Sequence, residues 1–198
     1  VIADSRKKRV GVLALQGDFE AHAKALDRAG AEAVEVRGAE DLKDIEGLVI
    51  PGGESTTMLK LLHFMNLMEP VREFARQKPV FGTCAGAILL AKDVLNPVQE
   101  SFGLLDLTVE RNAYGRQIDS RVAHIKPEAE FQARAGGGDV EAVFIRAPII
   151  RRTGPGVRVL AEYEGDPVLV EQGRHLVATF HPELTLDSRV HRLFLNKI

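Results

Sequence analysis

Three short apolar runs constrain the fold more than anything else in the chain. Residues 9–16 (RVGVLALQ), 48–53 (LVIPGG) and 79–82 (PVFG) are rich in β-branched and large apolar side chains, and each ends at or beside glycine. A helical pattern follows each of them. Phe19, Ala23, Leu26 and Ala29 recur at helical spacing before a stop at Gly30. Residues 54–77 carry Met58, Leu61, Leu62 and Met65, with a break expected near Pro70, and a helix-like run over 87–91 follows Cys84. A strand without a polar face needs cover on both sides, and strands alternating with helices supply that cover as a parallel sheet. Residues 31–37 (AEAVEVR) add an alternating strand.

The second half changes style. Residues 104–111, 120–127 and 140–148 are β-like runs with few long helices between them. Residues 157–183 read as three strands joined at Gly165-Asp166 and Gln172-Gly173, and Gly136-Gly137-Gly138 as a surface loop. Residues 188–198 form a closing amphipathic helix with Val190, Leu193 and Phe194 inward. The expected fold is α/β, a three-layer sandwich around a mostly parallel sheet, with antiparallel additions in the C-terminal half. One domain is expected over 1–198, with residues 1–8 as a tail.

Composition narrows the function classes. A net charge of −2 over 198 residues gives no global field for nucleic acid or acidic membrane. The basic run Arg6-Lys7-Lys8-Arg9 is short and reads as a solvated edge beside the first strand. No apolar run approaches the length of a membrane span, and the first residues have no signal-peptide pattern, so a cytoplasmic protein is expected. One cysteine forms no internal disulfide, and no Cys/His spacing of a zinc site is present.

That cysteine sits in Gly82-Thr83-Cys84-Ala85-Gly86, between a strand and a helix. The frame has the form of a nucleophile elbow, in which a strained turn projects the reactive side chain from the sheet edge. The following helix favours thiolate over thiol, and the Ala85 N–H lies where an oxyanion develops during acyl transfer. A thiol nucleophile needs a base. His22, His63, His124, His175 and His191 read as surface or core-edge residues. His181 ends an apolar strand, and Pro182 holds it extended, so Glu183, two residues on, points the same way and orients the imidazole. Residues 51–57 (PGGESTT) place two glycines before a helix, where backbone amides meet a ligand or an N-cap.

Taken together, GTCAG (82–86) and FHPE (180–183) resemble the triad (class I) glutamine amidotransferases. With LALQGDFEAH (13–22), PGGESTT, RNAYGRQIDS (111–120), FIRAP (144–148) and FHPELT (180–185), the chain is similar to the glutaminase-subunit family of pyridoxal 5′-phosphate synthase over nearly its whole length. The resemblance implies a class I glutamine amidotransferase-like fold. It makes Cys84 the nucleophile, His181 the general base and acid, and Glu183 its partner. Gly52, Gly53, Glu54, Arg111, Ile145 and Arg146 would bind L-glutamine, and Gln16-Gly17 would lie near the oxyanion site beside Ala85. It implies no cofactor and no metal, and a (β/α)₈-barrel synthase subunit as partner in a large multimeric complex. One departure is Arg121, which stands where the family usually has an aromatic residue and removes an apolar contact.

Two other readings carry less of the sequence. A glutaminase of another pathway does not account for LQGDFEAH and YGRQ. A thiol-based stress sensor needs neither the His-Pro-Glu run nor a glutamine-binding arginine.

Overall fold

The computed structural model describes residues 6–113 and 120–198. Tyr114, Gly115, Arg116 and Gln117 of the YGRQ segment lie outside the described residues, as do residues 1–5.

Twelve strands and six helices follow one another along the described chain. The first half holds β1 (Arg9–Leu13), α1 (Phe19–Arg28), β2 (Glu32–Val36), β3 (Gly47–Ile50), α2 (Ser55–Phe64), α3 (Met68–Gln77), β4 (Val80–Thr83) and α4 (Ala85–Leu90). Then come β5 (Ala91–Leu95), β6 (Leu105–Glu110), β7 (Ser120–Ile125), α5 (Ala129–Ala135), β8 (Val140–Ile145) and β9 (Ile149–Thr153). The chain closes with β10 (Arg158–Tyr163), β11 (Asp166–Gln172), β12 (His175–Ala178) and α6 (Arg189–Leu195). The main sheet has the order β10-β11-β12-β4-β3-β1-β2. Its strands from β12 to β2 pair in parallel, whereas β10 and β11 join antiparallel. A three-stranded sheet (β5-β6-β9) and the hairpin β7-β8 complete the fold.

The pleat divides the core in two. Leu13, Leu48, Ile50, Val80 and Val177 face one side of the sheet, where α2, α3, α4 and the three-stranded sheet cover them. Val10, Val12, Val49, Phe81, Leu176 and Ala178 face the other, beneath α1, α6 and the β7-β8 hairpin. Neighbouring residues of one strand feed opposite cores, so runs without polar alternation are what a doubly covered sheet requires.

Several boundaries differ from the sequence reading. The helical pattern over 54–77 breaks at Asn66, whose φ is +53°, not at Pro70. Pro70 sits in the first turn of α3, where an N–H has no intrahelical partner to lose. In α1 the fully covered residues are His22, Ala25 and Leu26, so the buried stripe is rotated from the expected one. The helix after Cys84 ends at Leu90, and the chain passes directly into β5. Helix α5 arises between β7 and β8, anchored by buried Phe131. The hairpin turns are shifted by one residue. Glu164 (φ +53°) and Gly165 (φ +87°) form the first, and Gly173-Arg174 the second. Two consecutive positive φ values suit the twist of antiparallel strands. No helix among the described residues is long and apolar enough to cross a membrane.

Candidate active site

Four of the motifs singled out in the sequence lie at the carboxyl ends of parallel strands. Gln16 and Gly17 follow β1, Gly52 to Glu54 follow β3, Cys84 follows β4, and His181 follows β12. These four strands are consecutive in the sheet, so their loops meet along one edge, where open α/β sheets place ligands.

Cys84 joins β4 to α4 with φ +48° and ψ −104°, a conformation that costs an L-residue about 1–3 kcal/mol. Its N–H donates to the Ala178 carbonyl of β12 at 3.0 Å, which ties the elbow to the strand that delivers His181. The flanking glycines allow close approach. A Cβ on Gly82 would lie 2.6 Å from the Gly86 carbonyl, and one on Gly86 would lie 2.1 Å from the carbonyl oxygen of Ile50 in β3. The thiol is buried, and its Sγ lies 3.9 Å from the Ile145 carbonyl oxygen. Ala85 is the first residue of α4, so its N–H has no intrahelical acceptor.

His181 Nδ1 and Glu183 Oε1 are 2.6 Å apart, and both side chains are buried. The His181 backbone N–H donates to the Val143 carbonyl of β8 at 2.8 Å and fixes the backbone at this residue. Burial opposes a charge on this ring, but the Cys84 sulfur and the Glu183 carboxylate beside it raise its pKa to about 10. With Nδ1 bound to Glu183, Nε2 is the nitrogen left for Cys84.

The cavity in front of Cys84 has a volume of about 280 Å³. Gly53, Glu54, Arg111, Ile145, Arg146 and His181 are among its walls, together with Asp18 and Asn112, which the sequence reading did not single out. Glu54 caps α2: its carboxylate accepts from Thr56 N (3.0 Å), Thr57 N (2.7 Å) and Thr57 Oγ1 (2.7 Å). Burial works against its charge, yet the bonds from Thr57 and Thr56 pull its pKa down to about 2. Arg111 Nη2 donates to Thr56 Oγ1 at 2.8 Å and lies 3.6 Å from Glu54 Oε1. Both signs of charge therefore line the cavity, as an amino acid zwitterion requires.

Gly52 lies behind this wall, and Gly17 and Gln16 interlock with it. A Cβ on Gly17 would lie 1.8 Å from the Gly52 oxygen, and one on Gly53 would lie 1.9 Å from Gln16 Nε2. Gln16 Oε1 accepts from the Glu54 N–H at 3.3 Å. The 16–17 and 52–53 turns therefore pack against each other with no room for a side chain at Gly17 or Gly53. Asp18, His181 and Glu183 bring one donor atom each within 4.8 Å. A cation there would compete with the His181–Glu183 bond.

His22 and His191 are not surface or core-edge residues: both are fully buried. His22 lies 3.4 Å from Glu183 and 3.1 Å from His191. A histidine on the apolar stripe of α1 was the available signal. Arg121, at the position of the usual aromatic, places its guanidinium 4.8 Å from the centroid of Tyr163 and 5.8 Å from that of Phe144. It also pairs with Glu164 at 3.1 Å, so a planar cation takes over the stacking.

Comparison with known proteins finds relatives over nearly the whole chain. A pyridoxal 5′-phosphate synthase subunit PdxT of Solibacter usitatus (strain Ellin6076) is 68% identical over 191 residues, covering 96% of this chain and 100% of that protein. A crystal structure of a glutamine amidotransferase is 49% identical and superposes with a TM-score of 0.86, over 95% of this chain and 97% of that one. A structure of PurLQS from Thermotoga maritima shares the fold at 19% identity, with a TM-score of 0.72 over 96% of this chain and 98% of that one. Residues 12–198 match the SNO glutamine amidotransferase family, and the chain belongs to that family.

Proposed function

We propose that the protein hydrolyses L-glutamine to L-glutamate and ammonia, and supplies the ammonia to a pyridoxal 5′-phosphate synthase subunit. The observation that carries this reading is the convergence of a strained Cys84 and a His181–Glu183 pair on a cavity walled by Arg111 and Glu54. The family and the PdxT relatives support the same reaction and the same use of its product.

The geometry supports the following steps. Cys84 Sγ attacks the carboxamide carbon of glutamine, and the negative charge collects on the amide oxygen. Ala85 N–H donates to that oxygen, and a backbone group of the Gln16-Gly17 turn is the second donor. His181, protonated at Nε2, gives its proton to the leaving nitrogen, and ammonia departs from a γ-glutamyl thioester. A water molecule then loses a proton to His181 and attacks the thioester, releasing glutamate and the thiolate. Arg111 and Arg146 take the substrate α-carboxylate, and Glu54 and Asp18 its ammonium, with Gly53 and Ile145 offering backbone groups. Gly52 gives His181 room.

The partner is a (β/α)₈-barrel synthase subunit in a multimeric complex, and the working compartment is the cytoplasm. The test is ammonia release from glutamine by this chain alone and with excess synthase subunit, for the wild type and Cys84→Ala. We expect the synthase to raise the rate and Cys84→Ala to abolish it. Equal wild-type rates with and without synthase would remove the coupling, and activity in Cys84→Ala would remove the nucleophile.

A further inference from the structure

We propose that His22 of α1 is a positioning residue that supplies the donor for the second carboxylate oxygen of Glu183, in a tautomer set by His191 of α6. The inference rests on the glutaminase reading of the triad.

Glu183 Oε1 is engaged by His181, but among the described residues no hydrogen bond reaches its buried Oε2. A buried carboxylate oxygen without a donor is costly. His22 Nε2 lies 3.4 Å from it and 2.9 Å from Thr83 Oγ1 of β4. On the other edge of the ring, His22 Nδ1 lies 3.1 Å from His191 Nε2. His191 Nδ1 is likewise buried without a partner.

One proton assignment accounts for both orphaned atoms. With the proton on His22 Nε2, the N–H is shared between Thr83 Oγ1 and Glu183 Oε2. His22 Nδ1 is then a lone pair that accepts from His191 Nε2–H, and His191 Nδ1 is left as an unpaired acceptor. The reverse assignment puts a lone pair of His22 against the carboxylate. It also puts a buried N–H on His191 Nδ1 with nothing to accept it, the worse of the two defects. Both rings are held neutral as this requires. Burial, then the charges of His191 and His181, push His22 well below its usual pKa, and burial followed by Arg28 takes His191 to about 3.

A carboxylate held at both oxygens cannot rotate, so the imidazole it orients keeps its Nε2 on the Cys84 side. Thr83 directly precedes Cys84, so the same histidine touches the strand of the nucleophile and the partner of the base. Helix α1 follows the Gln16-Gly17 turn, which brings that turn and the triad under one rigid element.

The experiment has two readouts. In the wild-type protein, long-range ¹⁵N–¹H spectra report the tautomers of His22 and His191. We expect Nε2–H on both, and an Nδ1–H tautomer on His22 overturns the proposal without any variant. The second readout compares His22→Gln, whose amide nitrogen replaces Nε2, with His22→Asn, whose amide replaces Nδ1 only. With L-glutamine and the synthase subunit present, His22→Asn should lower kcat tenfold or more, with KM within twofold. It should also broaden the His181 Nδ1–H resonance. His22→Gln should retain kcat within about threefold and keep that resonance. A merely structural histidine predicts losses that follow thermal stability in both variants alike, and that result, or wild-type kcat in His22→Asn, overturns the role. If no form of the protein hydrolyses glutamine, the glutaminase reading fails, while the tautomer and the His181 resonance still decide the His22 contact.

Discussion

Gly52 lies directly against His181: a Cβ built on this glycine would stand 2.4 Å from the imidazole Cε1 and 3.3 Å from the Cβ of Cys84. The contact makes Gly52 part of the placement of His181, the proposed base. Gly52→Ala should therefore turn the ring out of line with Cys84 while the sheet beneath stays intact. The expected result is a fall in kcat of at least a hundredfold, on the scale at which small misplacements act. Circular dichroism and the KM of any residual activity check that the fold and the cavity survive.

Position 84 carries its strain with any side chain that has a Cβ. Cys84→Ala should be inactive and folded. Cys84→Gly should be equally inactive but more stable than Cys84→Ala by about 1–3 kcal/mol, because φ +48° costs glycine little. Urea denaturation of the two variants measures the difference. Equal midpoints would show that the elbow stores no strain.

Buried neutral histidines set the acid limb of stability. His22 and His191 have pKa values below the usual 6.5, with His191 at about 3, so folding holds their protons off. Their contribution is complete above about 6.5 and is lost as pH falls below it, at about 1.4 kcal/mol per pH unit for each ring. His191→Gln should reduce the slope of unfolding free energy between pH 6.5 and 5 by about one proton. His181 has the opposite sign. Raised to about 10, its contribution is complete below about 6.5 and is lost as pH rises through about 10.

The stacking of Arg121 on Tyr163 is worth about 1 kcal/mol at a partly exposed site. Arg121→Ala should lose about that much in chemical denaturation. Arg121→Tyr, which restores an aromatic, should lose less than half of it. If both variants lose the same amount, the Glu164 pair carries the contribution instead.

How far these features were legible depends on the range over which they form. The parallel strands and the place of Cys84 rest on local signals: apolar runs of strand length, glycines at their ends, and a helical period beyond. His181 and Glu183 are two residues apart, so their pairing was legible, but not its backbone: the chain is not extended beyond His181 and turns into a 3₁₀ helix over Pro182–Leu184. The break at Asn66 was not, because Pro70 is the stronger helix breaker by composition, yet it fits a first turn without loss. The role of His22 is not legible locally, because its partners, Thr83, Glu183 and His191, come from other strands and helices and meet only in the folded sheet. Asp18 and Asn112 entered the cavity wall in the same way, through loops that no periodicity describes. Arg121 was read as a lost apolar contact because stacking on Tyr163 requires knowing that β7 and β10 are neighbours.

The pairing of β4 with β12 sets when the enzyme can exist during its own synthesis. In a chain emerging from the ribosome, the residues of β1, β3 and the Cys84 elbow are made before His181, and β4 lacks one of its two sheet neighbours until β12 is made. Until then the Cys84 N–H has no Ala178 carbonyl to bind, and the thiol has no base. On the proposed triad, a chain that stops before His181 has no base for its thiol and is expected to release no ammonia from glutamine. On that reading, the strand that fills the place beside β4 is also the one that completes the active site.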